Sequence, residues 1–498
     1  MNALSFVSLL SRLRSAVRLS SLQHWVPIVT GVFLLFSLHA RWVLTHFSSD
    51  GYLYDSGWLA YLFEGKDPLL HNPRSINELS FYAHHLSPHI FLFGTPLALL
   101  GLSGFWILAV HQGLFFALFF VSAYVIAGSV PPHYRGRLPL ILAAIAIGGL
   151  SNALFQAAAY PHYETAMLAV SSLALAAWIK GTRRLFLVLL LSLALIREDG
   201  GFYGAFVCLM CAVLEHGPGR QGRNHVVGLG IAAGVMTLLA ASSLLIKAKF
   251  FPGFDAFALN FSGHRWNHVS RALVVNRVRA AIVNPNILPV LVGSAFLAIR
   301  DVRYTLGLAL LSPLYALYML SVRPEHGHFT LYFALPWLLP PLTWLALFVT
   351  RARAEKASAT EAVLILAASL ALAAPVQAAA GMKGQFWYVA EWAVTRRVVN
   401  IRSMQEFALW VLRSYVTSAP GAEPDMRPCA SMGIAALIPN DLQPDEVVNA
   451  SSNLAGCRFL LLLNGDMDYG VLRSHAESVR FQYDGIRYNA ELWRRRSR

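Results

Sequence analysis

Apolar residues fall in blocks of roughly 17 to 25, long enough to cross a hydrocarbon core as a helix. These blocks recur from Trp25 to Ala380 with few polar breaks. The pattern predicts about eleven spans, near residues 24–46, 104–128, 138–158, 164–180, 184–197, 200–215, 226–247, 286–300, 303–321, 329–350 and 361–380. The stretch 86–101 is apolar but carries Pro88 and Pro96, and reads as a re-entrant or interfacial piece. Beyond residue 381 the pattern changes. Trp387, Trp392 and Trp410 lie in a segment of helical period suited to the membrane interface or to a cap on the bundle. Arg458 to Leu463 is a short apolar run before Asn464, Gly465 and Asp466, and Val479 to Leu492 alternates loosely around Asp484 and Gly485. The expected fold is an all-α polytopic membrane protein over 1–380, with a small α/β extracytoplasmic domain over 381–498.

Composition agrees. Of 498 residues, 56% are hydrophobic and 13% charged, against about 25% charged in soluble domains, which excludes a single water-facing globule. The net charge of +14 would suit nucleic acid, but Lys and Arg sit in short clusters between apolar runs, where they record membrane orientation. Arg135 and Arg137, Lys180 with Arg183 and Arg184, Arg220 and Arg223, Arg300 and Arg303, and Arg351, Arg353 and Lys356 share one side if the spans alternate, and that side is the cytoplasm. Arg12, Arg14 and Arg18 read as a cytoplasmic flank to the first span rather than part of a cleaved signal. The opposite side receives the first loop 47–87, the turns 159–164 and 197–200, the basic loop 248–285, the loop 322–328 and the tail. Lys247, Lys249, Arg265, Arg271, Arg277 and Arg279 break the charge rule there and invite another explanation. Cys208 and Cys211 lie in an apolar span without a second ligand pair, which favours packing over zinc or redox chemistry. Cys429 and Cys457 both fall in the translocated tail, where an oxidising compartment permits pairing if their α-carbons approach.

Polar residues with chemical potential collect on the translocated side. In the first loop, Tyr54, Trp58, Tyr61 and Leu62 follow helical spacing and predict an amphipathic helix along the bilayer surface, with Asp50 and Asp55 at its boundary. Asp55 either caps that helix or acts as a base, and Asp50 is either a solvated loop charge or a general base toward an acceptor hydroxyl. His84, His85 and His89 cluster before the next apolar piece. Adjacent histidines point apart on any regular element, which favours hydrogen bonding or phosphate contact over a metal site. Glu164, in Tyr160-Pro161-His162-Tyr163-Glu164, either complements a helix dipole or joins a site. In Arg197-Glu198-Asp199-Gly200-Gly201, adjacent carboxylates at a membrane boundary are costly unless paired or working, and Arg197 would neutralise one. Arg265 and Arg323 are topology anchors, ion-pair partners or holders of a lipid phosphate, to which arginine gives paired charge-assisted bonds.

Asp50-Gly51-Tyr52-Leu53-Tyr54 and the run to Gly65 resemble the D-E-x-Y-Y to Gly pattern of the GT-C superfamily of membrane glycosyltransferases, in its protein mannosyltransferase and aminoarabinose transferase branches; Gly51 stands where they carry a second acid. A closer likeness is to an uncharacterised bacterial family of GT-C-like integral membrane proteins, whose pattern has two first-loop aspartates five apart, then H-x-S-P, H-P-E and K-E-D. The matching positions are Asp50 and Asp55; His85, Ser87 and Pro88; His162 and Glu164, with Tyr163 for Pro; and Glu198 and Asp199, with Arg197 for Lys. The matches run through the first half of the chain. The resemblance implies transfer of a sugar, with inversion, from a polyprenyl-phosphate donor to a glycan, lipid or protein acceptor outside the bacterial inner membrane. On that reading Asp50 is the base and Asp55 the second choice. Glu164, Glu198 and Asp199 orient sugar or acceptor, His85 and His162 hydrogen-bond, and Arg265 or Arg323 holds phosphate. The resemblance names no cofactor, and a divalent metal stays open. The alternatives are a lipid-linked sugar flippase or membrane transporter, which would carry ionisable groups near midplane in broken helices, and a non-catalytic assembly factor.

Overall fold

Where water is absent the backbone must satisfy its own hydrogen bonds, so apolar runs of this length close into helices. The computed structural model describes residues 26–48, 59–65, 67–70, 80–158, 160–215, 220–252, 260–261, 266–329, 331–374, 398–416, 427–431, 434, 446–448, 453–463, 469–478, 481–487 and 490–495. Its helices are α1 (Val26–Thr45), α2 (Pro88–Leu99), α3 (Gly104–Ala127), α4 (Arg137–Gly149), α5 (Asn152–Ala158), α6 (Thr165–Ile179), α7 (Arg183–Ile196), α8 (Gly200–Glu215) and α9 (Arg220–Phe250). They continue with α10 (Arg271–Val283), α11 (Leu288–Ala298), α12 (Leu306–Leu320), α13 (Leu339–Arg353) and α14 (Ala359–Ala371). Among the described residues, Gly104–Ala127, Asn224–Phe250 and Tyr332–Arg353 are each long and apolar enough to cross a membrane, and α10 with α11 passes as one span bent by 77°. Shorter helices lie in the other expected spans.

Three expectations change. The span at 138–158 is two helices, because the chain breaks at Leu150 and Ser151 to pair with the end of α14: Asn152 N donates to Leu372 O at 2.8 Å, and Ala374 N to Leu150 O at 2.6 Å. Side-chain amides bind the neighbouring elements, with Asn152 Nδ2 donating to Asn286 Oδ1 and Asn286 Nδ2 to Gln156 Oε1, each at 3.0 Å. Second, the basic loop 248–285 contains α10. Third, residues 59–64 are helical as expected but do not ride on a surface. Leu59, Ala60, Leu62 and Phe63 are at most 1% exposed. Apolar groups occupy both sides of this short helix, so it wedges into the bundle; the Phe63 ring lies 5.1 Å from that of His111, and Glu64 accepts from Gly104 N at 2.7 Å. The earlier part of that expected helix lies outside the described residues.

At one end of the bundle the clustered cations tie the turns together. Arg353 donates to Ile179 O at 3.2 Å and Ser129 O at 3.4 Å, while Tyr134 donates its hydroxyl to Ala357 O. Asp301 meets Arg303 at 2.7 Å and Arg351 at 2.5 Å, and Arg351 continues to buried Glu361 at 3.1 Å. The turns after α3, α6, α11 and α13 therefore share one end, as the charge clusters require of an alternating thread.

Toward the C-terminus, β1 (His46–Ser48) pairs antiparallel with β2 (Val398–Asn400), which leads into α15 (Ile401–Val416). A five-stranded mixed sheet follows, in the order β4 (Val447–Val448), β3 (Arg427–Ser431), β5 (Cys457–Leu463), β7 (Ala490–Arg495) and β6 (Phe481–Arg487), with α16 (Tyr469–Ser478) packed on it. The apolar run in β5 reflects burial on both faces. Phe459, Leu461 and Leu463 join the core that includes Phe407 and Val411 of α15, whereas Leu460 and Leu462 join Leu472 and Ala476 of α16. Asp484 and Gly485 form an irregularity within β6 rather than interrupting it. Trp410 of α15 is exposed, while Trp387 and Trp392 lie outside the described residues. Cys208 and Cys211 are free and buried. Cys429 and Cys457, on neighbouring strands with α-carbons 5.5 Å apart, are disulfide-bonded. Replacing both with serine should lower the stability of this sheet by about 2–4 kcal/mol, read as a melting transition that comes earlier in the variant than in the oxidised wild type.

Candidate active site

At the opposite end of the bundle from Arg351, three turns converge. The first is set by glycines: α7 must turn into α8 within a few residues. A Cβ on Gly200 would stand 1.9 Å from Leu193 O, and one on Gly201 would stand 2.3 Å from Met236 O of α9. That close approach fixes Arg197, Glu198 and Asp199 at the rim. In the second turn, Thr165 at the start of α6 donates to His162 O at 3.0 Å, and Glu164 immediately precedes the helix. In the third, a single 3-10 turn at Phe81–Ala83 is capped by Ser80, and His85 N donates to Phe81 O at 3.0 Å.

Arg197 bridges two carboxylates. Its Nη1 donates to Glu164 Oε1, its Nε to Asp199 Oδ1 at 2.6 Å, and its Nη2 to Asp199 Oδ2. Glu198 turns the other way. Its Oε1 lies 3.0 Å from His85 Nδ1 and 3.8 Å from Lys247 Nζ, and its Oε2 accepts from Leu86 N at 3.0 Å. His162 stacks on Tyr332, with ring centres 3.9 Å apart and planes 8° apart, and Glu164 N donates to its Nδ1 at 3.4 Å.

The electrostatics separate the two glutamates. Burial raises the Glu198 carboxyl, but the charge and hydrogen bond of His85, with Arg197 and Lys247, outweigh it and hold the group at about 2. For Glu164 burial prevails over Arg197 and His85, and the neighbouring Asp199 and Glu198 add to it, so this carboxyl is raised. Arg197 is also buried, yet Asp199 and Glu164 hold its proton more firmly than usual. His162 is pushed well below the ordinary histidine value by burial, with His85 and Arg197 adding to the effect, so it is neutral at pH 7. Carboxylates pushed in opposite directions within one site can divide acid and base duties between them. Beside Glu164 lies a small cleft between α6, α8, α12 and the stretch 332–339 leading into α13, apolar except for Glu164 and the hydroxyls of Tyr203, Tyr318 and Tyr332.

The fold thus gathers His85, His162, Glu164, Glu198 and Asp199 in one cluster. Arg323 lies at its margin: its side chain is exposed, and it helps lower neighbouring His326 to about 3, after burial and ahead of Arg197. Asp50, Asp55 and Arg265 lie outside the described residues. Two participants were not singled out by sequence. Lys247 registers there only as an excess cation, although its place at the outer end of an apolar span is a usable signal; Tyr332 has none, because stacking on His162 joins segments 170 residues apart in sequence. Among the described residues no three His, Cys, Asp or Glu side chains are disposed to hold a metal ion, and the oxygens of Glu198 and Asp199 are engaged by cations and a backbone N–H.

No protein-family model and no curated protein matches the chain. Among solved structures it is similar to ArnT from Cupriavidus metallidurans in the apo state, with 12% identity, a TM-score of 0.51, and coverage of 95% of this chain and 98% of that one. The arabinofuranosyltransferase AftD from Mycobacteria aligns at 17% identity and a TM-score of 0.47, over 96% of this chain and 40% of AftD. At that score the second likeness adds nothing to the fold assignment, which rests on the first. The chain has a GT-C-like fold: an all-α membrane body followed by a small α/β unit.

Arg197→Gln would strand Glu164 and Asp199 without their shared cation, and should cost about 3–5 kcal/mol in thermal or denaturant unfolding. Because the folded-state value of Glu198 is depressed, its contribution is complete above its ordinary value of 4.5 and is lost as pH falls toward about 2. Melting curves of wild type and Glu198→Gln should therefore converge across that window.

Proposed function

We propose that the chain is an integral membrane glycosyltransferase that moves a sugar from a polyprenyl-phosphate donor to an extracytoplasmic glycan, lipid or protein acceptor, with inversion. The observation that carries this reading is the convergence of buried, oppositely tuned carboxylates with Arg197, Lys247 and His85 beside a mainly apolar cleft. Transport would place its ionisable groups near midplane, whereas these lie on turns at one end of the bundle. The GT-C-like fold supports the same reading, as does the pattern of Asp50, Asp55, His85, His162, Glu164, Glu198 and Asp199.

In the proposed reaction the polyprenyl tail stays in lipid while the head group enters the cluster. Asp50 takes the proton of the acceptor hydroxyl as that oxygen attacks the anomeric carbon. The bond from that carbon to the phosphate oxygen breaks on the opposite face, and polyprenyl phosphate leaves with the electron pair. Asp55, five residues on in the sequence, is the second choice for that base. Glu164 and Asp199, already oriented by Arg197, and Glu198, oriented by His85 and Lys247, offer acceptors to sugar or acceptor hydroxyls. Neutral His162 adds a hydrogen-bonding edge, and Arg323 or Arg265 neutralises phosphate. The site faces the periplasm of a bacterial inner membrane, a side favoured by the disulfide of the C-terminal unit, since such bonds persist in oxidising compartments. Domain limits of 1–380 and 381–498 belong to this reading.

A lipid-linked sugar flippase is the second reading, favoured by the bend of 77° between α10 and α11 and the buried amides beside it. Mass spectrometry of envelope glycans and lipid-linked intermediates, in cells expressing wild type, no protein or Asp50→Asn, separates the two. The transferase reading predicts accumulated lipid-linked sugar on the outer leaflet and a missing glycan modification for both the null and the variant. Donor trapped on the inner leaflet supports the flippase, and unaffected transfer in a folded Asp50→Asn protein removes Asp50 as base.

A further inference from the structure

The loop 321–328 is held from α10 at both ends. Near its start, Arg277 Nη2 donates to Ser321 O at 3.3 Å and to Arg323 O at 3.1 Å. At its end, Asn284 Nδ2 donates to His328 O at 2.7 Å. Ser321 Oγ closes the loop on itself, accepting from Arg323 N at 3.2 Å and lying 3.0 Å from His326 Nδ1. Both backbone polar groups of Arg323 are thus fixed, its N–H by Ser321 and its C=O by Arg277, while its side chain is exposed.

Arg277 is only 5% exposed. A topology anchor would snorkel toward water, whereas this guanidinium is buried and directed at loop carbonyls, a placement that is costly unless those bonds are needed. Gly327 shows how closely the loop crosses it: a Cβ there would stand 2.3 Å from Arg277 Nε. Asn284 is itself anchored. Its Oδ1 accepts from Asn286 N at 2.8 Å, and Asn286 is bound by side chain to Asn152 and Gln156 of α5. A continuous set of hydrogen bonds therefore runs from the bundle interior to the loop that carries Arg323.

We propose that Arg277 and Asn284 are positioning residues that fix the 321–328 loop so that Arg323 is presented, at a set height above the membrane body, to the donor phosphate. The phosphate part rests on the functional reading above, whereas the loop-holding part does not. It also explains one of the cations that depart from the charge rule in the 248–285 region: Arg277 serves the loop rather than the membrane surface.

The test uses the full chain in lipid nanodiscs, with two readouts: amide hydrogen exchange over 321–328, and binding of a polyprenyl monophosphate. Arg277→Gln and Gly327→Ala should both raise exchange in the loop and weaken binding about tenfold, to the level of Arg323→Gln. The double variant R277Q/R323Q should bind no more weakly than R323Q alone, because one residue acts through the other. Arg277→Lys, which keeps the charge but offers a single nitrogen, should fall between wild type and Arg277→Gln. Asn284→Ala should loosen the far end of the loop, and keeps the test available should Arg277→Gln fail to fold. Unchanged exchange in folded Arg277→Gln and Asn284→Ala overturns the inference whatever the probe does. Raised exchange with unaltered binding, while Arg323→Gln binds poorly, overturns the link from loop to phosphate. Raised exchange in a protein whose wild type ignores the probe upholds the loop-holding role and counts against the phosphate reading.

Discussion

Everything at the candidate site depends on one shared cation. Arg197 sits where α7 turns into α8, and its guanidinium joins Glu164, at the start of α6, to Asp199 on its own turn. Without it two carboxylates this close would repel, and the turns carrying them would separate. With both bonded to one planar fork, Glu198 is left facing away from Arg197, toward His85 and Lys247. The glycines that follow matter for the same reason: only a backbone without a Cβ brings this turn close enough to α7 and α9 for the geometry to close.

Ion pairs gather at the two ends of the bundle, and the ends differ in kind. Asp301, Arg303, Arg351 and Glu361 form a closed ion-pair network in which the charges satisfy one another. At the other end the acids are held by cations on one side, with an apolar cleft beside Glu164 and an exposed arginine at the margin. At that end Glu164 is raised and Glu198 lowered, a separation that can divide acid and base duties between two carboxyls.

Much of this was legible in the sequence because membrane physics leaves few choices. Apolar block length marks the helices, and the positions of Arg135, Lys180, Arg300 and Arg351 give the alternation. The grouping of His85, His162, Glu164, Glu198 and Asp199 then follows from threading alone. What was not legible depends on partners distant in sequence. The break at Ser151 is made affordable by the end of α14, more than two hundred residues later, and nothing local announces it. Residues 59–64 have a helical pattern, but burial of their second side depends on α2 and α3. Lys247 became a site residue only when the end of α9 met the 197–199 turn. The apolar run in β5 was visible, but the division of its two faces between the main core and α16 was not.

The central claim is that acids scattered over the first half of the chain meet in one pocket on the far side of the membrane from the clustered arginines. Single cysteines at positions 50 and 199, in a background where Cys208 and Cys211 are buried and Cys429 and Cys457 are bonded, report this through labelling of intact cells by a membrane-impermeant maleimide. Both sites should react from the outside, while a cysteine at position 353 should react only after the membrane is opened. Labelling of positions 50 and 199 from opposite faces would contradict it.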